Sequence, residues 1–318
     1  MENEARSKRK RFRRRRFVED EYHHIYQRTI HKFNIFYDVQ DYLVYFTIFS
    51  MAVRQYGINV LGLCLMYDHI HMLLSSETRV AMSEFVRQVT SMFVREQNND
   101  VGRKGSLFQA RFGSAPKKGF KLLRTAISYL YNNPVEKKLS IRAEGYRWNF
   151  LAYSVSKCPF SEPILIRNAS LSLRKAVKEV DSAFALSHHL RYGQLSRMFR
   201  KLDEGEAEQL MDYIISLYNP IDYSSLVQCY GSYETMLTAI NSNTGSEYDI
   251  KEERSAVADT CYPRMIDVLR KVEGIRDVRN LTAADNDEKI RLYKLLHQHV
   301  ACPGKMIAEF LHLELRHV

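Results

Sequence analysis

The first half of the chain alternates short apolar runs with longer segments of helical periodicity. Aromatic and β-branched residues over 21–30 predict a first strand, and the nearly all-apolar run 58–66 predicts a strand covered on both faces. A further strand follows at once over 68–74, so these two runs form a hairpin. The remaining elements predicted here are helices over 38–55, 82–98 and 120–134, with one or two short strands over 107–115.

The order of these elements is strand, helix, hairpin, helix, strand and helix, which is the order of a split βαβ unit. We therefore predict an α+β fold, with a ferredoxin-like antiparallel sheet and helices packed on one of its faces. The strand over 68–74 should lie in the middle of this sheet.

The second half of the chain is predicted to be helical after a connecting segment at about 136–166. Segment 286–318 resembles a helix-turn-helix, with His312 at the turn position that glycine usually occupies, and a plain helical bundle is the alternative. We predict a basic arm over 1–18, an α+β domain over 19–155 and a helical domain over 156–318. The predicted C-terminal helices are 172–200, 205–218, 232–240, 262–272, 286–299 and 303–311.

Charge is distributed unevenly between the two halves. Residues 1–160 contain 27 Lys and Arg against 14 Asp and Glu, whereas residues 161–318 contain 20 against 23. Nine of the eleven residues over 6–16 are Lys or Arg, a block that repels itself and that we expect to be disordered alone. The basic half predicts a polyanionic partner such as nucleic acid, while a merely solubilising tail is the alternative for the arm.

Hydropathy and cysteine spacing exclude several other classes. No apolar run approaches the roughly 20 residues that a bilayer-spanning helix needs, so we expect no membrane association. The cysteines are scattered, odd in number and without C-x-x-C spacing, which favours a reducing cytoplasm and argues against a zinc ribbon or a disulfide framework. The five are Cys64, Cys158, Cys229, Cys261 and Cys302.

Two histidines lie two residues apart in the strand predicted over 68–74. Strand side chains alternate between faces, so His69 and His71 point the same way and Ile70 and Met72 the other. Two imidazoles on one rigid face provide half of a divalent-metal site. Considered alone, such a pair is more often satisfied by local hydrogen bonds.

The helix predicted over 120–134 contains two tyrosines with different surroundings. Tyr129 lies about 140° from the centre of the apolar stripe and Tyr131 about 60°, so core packing accounts for Tyr131 but not for Tyr129. Asn133 lies one turn beyond Tyr129 on the same side. Pro134 predicts that the helix ends near Asn133. The residues of the apolar stripe, expected to face the sheet, are Phe120, Leu123, Ile127 and Leu130.

The histidine strand and the Tyr129 helix together resemble the motifs of a known family. His69-Ile70-His71 is similar to the His-hydrophobic-His motif of the HUH nucleases, and Tyr129 with Asn133-Pro134-Val135 is similar to the Y-x-x-x-N-P-V helix of the REP-associated tyrosine transposases. These are relatives of the single-tyrosine transposases that move insertion sequences as single-stranded DNA. The segments 24–29, 107–114 and 148–154 are also similar, so the resemblance covers about 20–155. Asp68 stands where many relatives have Asn, which we expect to matter little.

The resemblance implies that His69, His71 and Asn133 bind Mg²⁺ or Mn²⁺ and that Tyr129 attacks a DNA phosphate. The products would be a 5′-phosphotyrosine and a free 3′-OH. It implies a DNA transposase and endonuclease that cleaves and rejoins single-stranded, hairpin-forming DNA in the bacterial cytoplasm, associated with the nucleoid. The enzyme would be a monomer or a homodimer, and in related dimers the tyrosine of one chain can lie beside the histidines of the other.

The first half also supplies candidate DNA contacts. Lys and Arg side chains there can follow phosphates, and Phe108 and Phe112 lie among them and can stack on bases. The basic candidates are Arg28, Lys32, Arg87, Arg103, Lys104, Arg111, Lys117, Lys118, Lys121 and Arg124.

Two other functions fit the same fold. One is a catalytically inactive HUH-fold regulator that only binds DNA, and the presence of His69, His71, Tyr129 and Asn133 argues against it. The other is a relaxase or replication-initiator nuclease, which the tyrosine-to-asparagine spacing and the N-P-V tail disfavour relative to a transposase.

Overall fold

The computed structural model of the chain describes residues 17–19, 21–242 and 259–314. The predicted basic arm over 1–18 therefore lies almost entirely outside the described residues. Four antiparallel strands form one sheet, in the order β2-β3-β1-β4. The strands are β1 (Tyr22–Arg28), β2 (Asn59–Leu65), β3 (His69–Ser75) and β4 (Gly113–Lys117). Because β3 pairs with both β1 and β2, the histidine strand lies inside the sheet, as predicted.

The described residues of this half form three α-helices: α1 (Val39–Tyr56), α2 (Arg79–Val101) and α3 (Gly119–Glu136). Helix α1 begins where the sequence indicates, because the carboxylate of Asp38 accepts hydrogen bonds from the first backbone N–H groups. It ends at Gly57, whose φ of 60° is a left-handed conformation that glycine adopts without strain.

Helix α3 does not end near Asn133, so that prediction is wrong. Pro134 lies inside the helix, which continues to Glu136. The backbone N–H of Lys137 still donates to the carbonyl of Asn133 at 3.1 Å, so helical hydrogen bonding continues beyond the proline. The fixed φ of proline is compatible with a helix, and only its missing N–H and the crowding of the preceding residue oppose one.

Helices cover both faces of the sheet, so the prediction of a single covered face is wrong. Ile70 and Met72 of β3 pack in one apolar cluster with α1 and α2, whereas Leu73 packs in a second cluster with Ile127 and Leu130 of α3. The physical reason is that β2 and β3 are apolar on both sides and must be buried on both.

Eight helices follow in the described part of the second half. Their bounds are α4 (Leu171–Ala185), α5 (Tyr192–Phe199), α6 (Glu204–Tyr218), α7 (Tyr223–Gln228), α8 (Tyr233–Asn241), α9 (Cys261–Val272), α10 (Asn286–His299) and α11 (Gly304–Leu311). The single helix predicted over 172–200 is wrong, because the chain turns at Ser187, whose φ is 56°, and separates α4 from α5. Within the described ranges, no helix combines the length and the apolarity that crossing a membrane requires.

These C-terminal helices pack directly on the first half. Helices α4 to α6 share the apolar cluster of α1 and α2, and α8 packs against α3. Helices α9 to α11 form a separate cluster, which also contains Tyr37 from the segment before α1. Apolar packing therefore crosses the boundary predicted between the α+β domain and the helical domain at residue 156.

The predicted helix-turn-helix is described only in part. Helices α10 and α11 are present, and His312 has the left-handed conformation expected at the turn, with a φ of 54°. Residues 313–314 follow without helical structure, and 315–318, where the second helix would continue, lie outside the described residues.

One pair of cysteines is bonded, so the expectation drawn from cysteine spacing is wrong at this pair. Cys261 at the start of α9 and Cys302 before α11 form a disulfide with a Cα–Cα distance of 6.0 Å. The two residues are 41 positions apart in sequence. Only the packing of α9 against α10 and α11 brings them together, so no local spacing could indicate the bond.

Candidate active site

Three histidines from neighbouring strands form a buried cluster on the α3 side of the sheet. His69 and His71 share this face as predicted, and their ring centroids are 5.0 Å apart. His24 of β1 joins them, with its Nε2 atom 3.0 Å from Nδ1 of His71. His24 and His71 are both fully buried.

Asp68 fixes the orientation of His69. Its carboxylate oxygen Oδ1 lies 2.5 Å from Nδ1 of His69. The carboxylate accepts the Nδ1 proton, so the lone pair of this imidazole is on Nε2. Burial alone would raise the pKa of Asp68, but the neighbouring His69 and Lys137 hold this pKa below its usual value. Asp68 therefore stays ionised at neutral pH.

The contacts of His71 fit the tautomer that carries its proton on Nδ1. The side-chain amide Nδ2 of Asn133 lies 3.4 Å from Nε2 of His71, and only an unprotonated Nε2 can accept from it. The proton is then on Nδ1, where it is donated to His24. His69 and His71 thus both carry their lone pairs on Nε2, the atom with which imidazole commonly binds metals.

Tyr129 of α3 lies against this cluster within the same chain. Its ring centroid is 5.6 Å from that of His71 and 5.8 Å from that of His24, and the residue is 3% exposed. By contrast, Tyr131 is ordinary core, and its hydroxyl donates to the carbonyl of Leu61 at 2.8 Å. The structure therefore separates the two tyrosines as the helix geometry predicts.

The residues at this site fit a divalent ion. In the described ranges, no three His, Cys, Asp or Glu side chains are grouped as metal ligands. The predicted third ligand is an amide, and Oδ1 of Asn133 is buried without a hydrogen-bond partner among the described residues. Two imidazole nitrogens and an amide oxygen suit an ion that accepts both donor types, Mn²⁺ more readily than Mg²⁺.

The second half of the chain reaches the edge of the site. The backbone N–H of Asp259, just before α9, donates to the carbonyl of Lys137 at 3.1 Å. Burial raises the pKa of Asp259 to about 6, although the charges of Lys137 and His69 act to lower it. The side-chain carboxyl group of Asp259, from the second half of the chain, therefore shares the electrostatic environment of Asp68 and His69.

The candidate DNA contacts fall into two groups. Arg103 is half-buried and holds its own loop by donating to Asn98 and to the carbonyls of Gly105 and Ser106. Arg87 pairs with Glu84 on the surface of α2. Arg28 and Lys32 are partly exposed, and the well-exposed candidates are Lys104, Arg111, Lys118, Lys121 and Arg124.

Three predicted side-chain positions need correction. Phe108 is 2% exposed and packs near Phe93 in the core, so it cannot stack on a base. Lys117 is 1% exposed, because its strand position points it under α3 rather than into solvent. Phe120, expected to face the sheet, is instead 65% exposed at the start of α3, beside Lys121. Phe112 is half-buried against the same core cluster as Phe108.

His24 and the role of Asp68 were not predicted. The alternation of β1 does place His24, Tyr26 and Arg28 on one face. Only the pairing register of β1 with β3 shows that this face is the one that carries His69 and His71.

One comparison with known protein families matches the first half of the chain. The family model described as "Transposase IS200 like" matches residues 17–133. No curated protein matches the chain. A solved structure described as a REP-associated tyrosine transposase bound to a REP hairpin is similar, with 16% identity and a TM-score of 0.40 over 45% of this chain and 84% of that one. Both values are too low for this likeness to add to the family match. The resemblance to the IS200-like transposases is thus confirmed for residues 17–133, the segment that holds every residue of the candidate site.

Proposed function

We propose that this protein is a metal-dependent DNA transposase that cleaves and rejoins single-stranded, hairpin-forming DNA through a covalent tyrosine intermediate. The observation that carries the proposal is the convergence of Tyr129 with His71 inside one chain, at a ring-centroid distance of 5.6 Å. The family match over 17–133 supports a transposase rather than another HUH-type nuclease.

Tyr129 is the nucleophile in this proposal. Its phenolic oxygen attacks the scissile phosphorus while the bond to the 3′ oxygen breaks, which leaves a 5′-phosphotyrosine. The phenol proton passes to water, and the departing 3′ oxygen takes a proton from water. A phenol has an unperturbed pKa near 10, so it needs a neighbouring positive charge to become a good nucleophile.

His69, His71 and Asn133 would hold the metal, through the two Nε2 atoms and Oδ1. Asp68 and His24 keep the imidazoles in the required tautomers by hydrogen bonding to the Nδ1 atoms. A bound Mg²⁺ or Mn²⁺ would supply a Lewis acid that withdraws charge from a non-bridging oxygen of the scissile phosphate.

The covalent intermediate explains how one tyrosine can serve both cleavage and joining. The phosphotyrosine keeps the free energy of the broken phosphodiester. A 3′-OH can then attack the same phosphorus, break its bond to Tyr129 and restore the phenol. Strand transfer of this kind needs no nucleotide cofactor.

The DNA must be unpaired where it meets Tyr129, because the phenol is buried beside the sheet and a duplex backbone cannot reach it. Exposed cations at the start of α3 would follow the phosphates, since Lys118, Lys121 and Arg124 all face solvent there. Phe120, exposed among them, can stack on an unpaired base.

The test is covalent attachment to a labelled single-stranded oligonucleotide taken from the DNA that flanks the gene. We expect the wild-type protein to form a denaturation-resistant adduct with Mn²⁺ or Mg²⁺ and none with EDTA. Tyr129→Phe should abolish the adduct while DNA binding persists. Tyr131→Phe makes the same chemical change two residues further along α3, and this variant should still form the adduct. An adduct that survives in Tyr129→Phe would remove this tyrosine from its proposed role.

A further inference from the structure

Strand β1 places two more side chains beside the histidine pair. In the antiparallel register, Tyr26 lies opposite His71 and Arg28 lies opposite His69. Residues directly opposite each other on paired strands project from the same face of the sheet. Tyr26 and Arg28 therefore share the face that carries the candidate active site.

Helix α3 covers only part of this face. His24 and His71 are fully buried beneath Tyr129, whereas Tyr26 and Arg28, next along the strand, are partly exposed. Among the described residues, Tyr26 is in none of the three apolar clusters. The aromatic ring thus borders the covered site without belonging to the core.

The position of the Tyr26 ring depends on a glycine in the next strand. Gly113 of β4 pairs with Tyr26, and a Cβ atom there would lie 1.9 Å from Cζ of the tyrosine. Any other residue at this position would therefore displace the ring. Glycine weakens a strand interior and often marks a close approach by another group, which is what the ring makes here.

Arg28 adds a positive charge over the Tyr26 ring. Its guanidinium carbon lies 5.5 Å from the centroid of Tyr26, compared with 4.0 Å in the packed contact between Arg279 and Tyr192. The arrangement combines an aromatic surface with a cation, which is the combination that single-stranded nucleic acid sites use for base and phosphate.

We propose that Tyr26, held over Gly113, is a stacking platform for the unpaired nucleobase that adjoins the scissile phosphate. The inference rests on the proposed function, since it needs the phosphate to lie between Tyr129 and the histidine pair. Stacking on one ring accepts any base, so the platform would position the strand without selecting its sequence.

The experiment measures binding in the Tyr129→Phe background, where no adduct can form. The probes are a short random-sequence single-stranded oligonucleotide and an abasic strand with the same backbone and length. Tyr26→Ala should weaken binding of the base-bearing strand by about tenfold, the factor for one lost base–aromatic stack, and leave binding of the abasic strand unchanged. Tyr26→Phe should restore the ring and the affinity.

Gly113→Ala provides a second variant that leaves the tyrosine in the sequence. It should weaken binding of the base-bearing strand by displacing the ring, and it should add no further loss in Tyr26→Ala. Equal losses on both strands, or no loss on either, would overturn the platform. Failure of the proposed function would appear separately, as an adduct that survives Tyr129→Phe in the otherwise unchanged chain.

Discussion

Two buried polar clusters in this molecule are built on opposite principles. The first is the histidine cluster of the candidate active site, in which one carboxylate, Asp68, faces the imidazoles and Oδ1 of Asn133 has no partner among the described residues. The second surrounds Arg279, which is 1% exposed and joins the C-terminal half to the first half.

The Arg279 cluster is ionic and closely contacted. The terminal nitrogens of Arg279 lie 2.9 Å from a carboxylate oxygen of Asp41 in α1, 2.9 Å from one of Asp100 in α2 and 3.1 Å from one of Asp277. The guanidinium also lies over the ring of Tyr192. Burial by itself would lower the pKa of Arg279, but the surrounding carboxylates raise it above its ordinary value.

The contrast separates stability from function. A buried charge costs several kcal/mol unless partners surround it, so the Arg279 contacts are required for the fold. A buried amide oxygen without a partner costs about 1–3 kcal/mol, and Oδ1 of Asn133 is one of several such atoms among the described residues. This one lies beside Tyr129 and the histidines, where it is available for a ligand. Changes in the first cluster should therefore affect chemistry, and changes in the second should affect folding.

The largest effect should follow His69→Ala. Removing one of two imidazole ligands should lower the rate of adduct formation by about 10³-fold, since the metal contributes several kcal/mol to such transition states. The free energy of unfolding should fall by a smaller amount, about 1–3 kcal/mol, because the largely buried His69 side chain is the hydrogen-bond partner of Asp68.

His299→Ala, at an exposed histidine on α10, is the control and should change neither quantity. Adduct formation followed in gels and urea denaturation followed by circular dichroism give the two measurements. A destabilisation as large as the catalytic loss would show that this cluster is structural.

The second effect concerns Arg279→Met. It leaves the buried carboxylate of Asp41 near that of Asp100 without their shared cation, so the free energy of unfolding should fall by about 3–5 kcal/mol. The adduct yield per folded molecule should be unchanged at low temperature. Arg291→Met is the matched control, because that arginine pairs with Glu273 and Glu288 but is 50% exposed. It should leave the free energy of unfolding almost unchanged, because water and salt screen an exposed ion pair.

Much of the first half could be predicted because its signals are local. The capping residue Asp38, the terminating Gly57 and the periodicity of α2 are read from adjacent positions. Alternation along a strand placed His69 and His71 on one face, and helix geometry separated Tyr129 from Tyr131. Each of these inferences needs only the repeat of a single element.

The remaining features depend on how distant elements pack. The left-handed turn at Ser187, the disulfide between Cys261 and Cys302, and the burial of Phe108 follow from contacts between elements far apart in sequence. His24 belongs to the same class, because its role depends on the register between β1 and β3. No local pattern encodes that register.

A third effect lies in the pH dependence of the C-terminal half. Burial lowers the pKa of His312 to about 3, and its Nε2 donates to the carbonyl of Asn34 at 2.5 Å. The unfolded chain protonates this histidine near pH 6.5, whereas the folded protein does not until about pH 3. The free energy of unfolding should therefore fall below about pH 6.5, by about 1.4 kcal/mol per pH unit from this group at most.

His312→Asn isolates this contribution, because asparagine tolerates the left-handed backbone at this position but does not titrate. Urea denaturation at pH 7.5 and pH 5.5 should show a smaller acid loss in the variant than in the wild type, by about 1 kcal/mol. The variant comparison is needed because burial raises the pKa of Asp38, Asp259 and Glu309 to about 7, 6 and 7, and these groups act in the opposite direction. Identical acid losses in both proteins would show that His312 is protonated in the fold.

A fourth effect should come from Asp68→Asn, which tests the contribution of the Asp68 charge to the histidine cluster. An asparagine oxygen can still accept the Nδ1 proton of His69, so the tautomer should be kept while the negative charge is lost. We expect the apparent affinity for Mn²⁺ in adduct formation to fall by about tenfold, with the rate at saturating Mn²⁺ unchanged. Asp68→Ala removes the hydrogen bond as well and should lower the affinity by about 100-fold. Equal losses of Mn²⁺ affinity in the two variants would mean that the negative charge of Asp68, rather than its hydrogen bond to His69, supports metal binding.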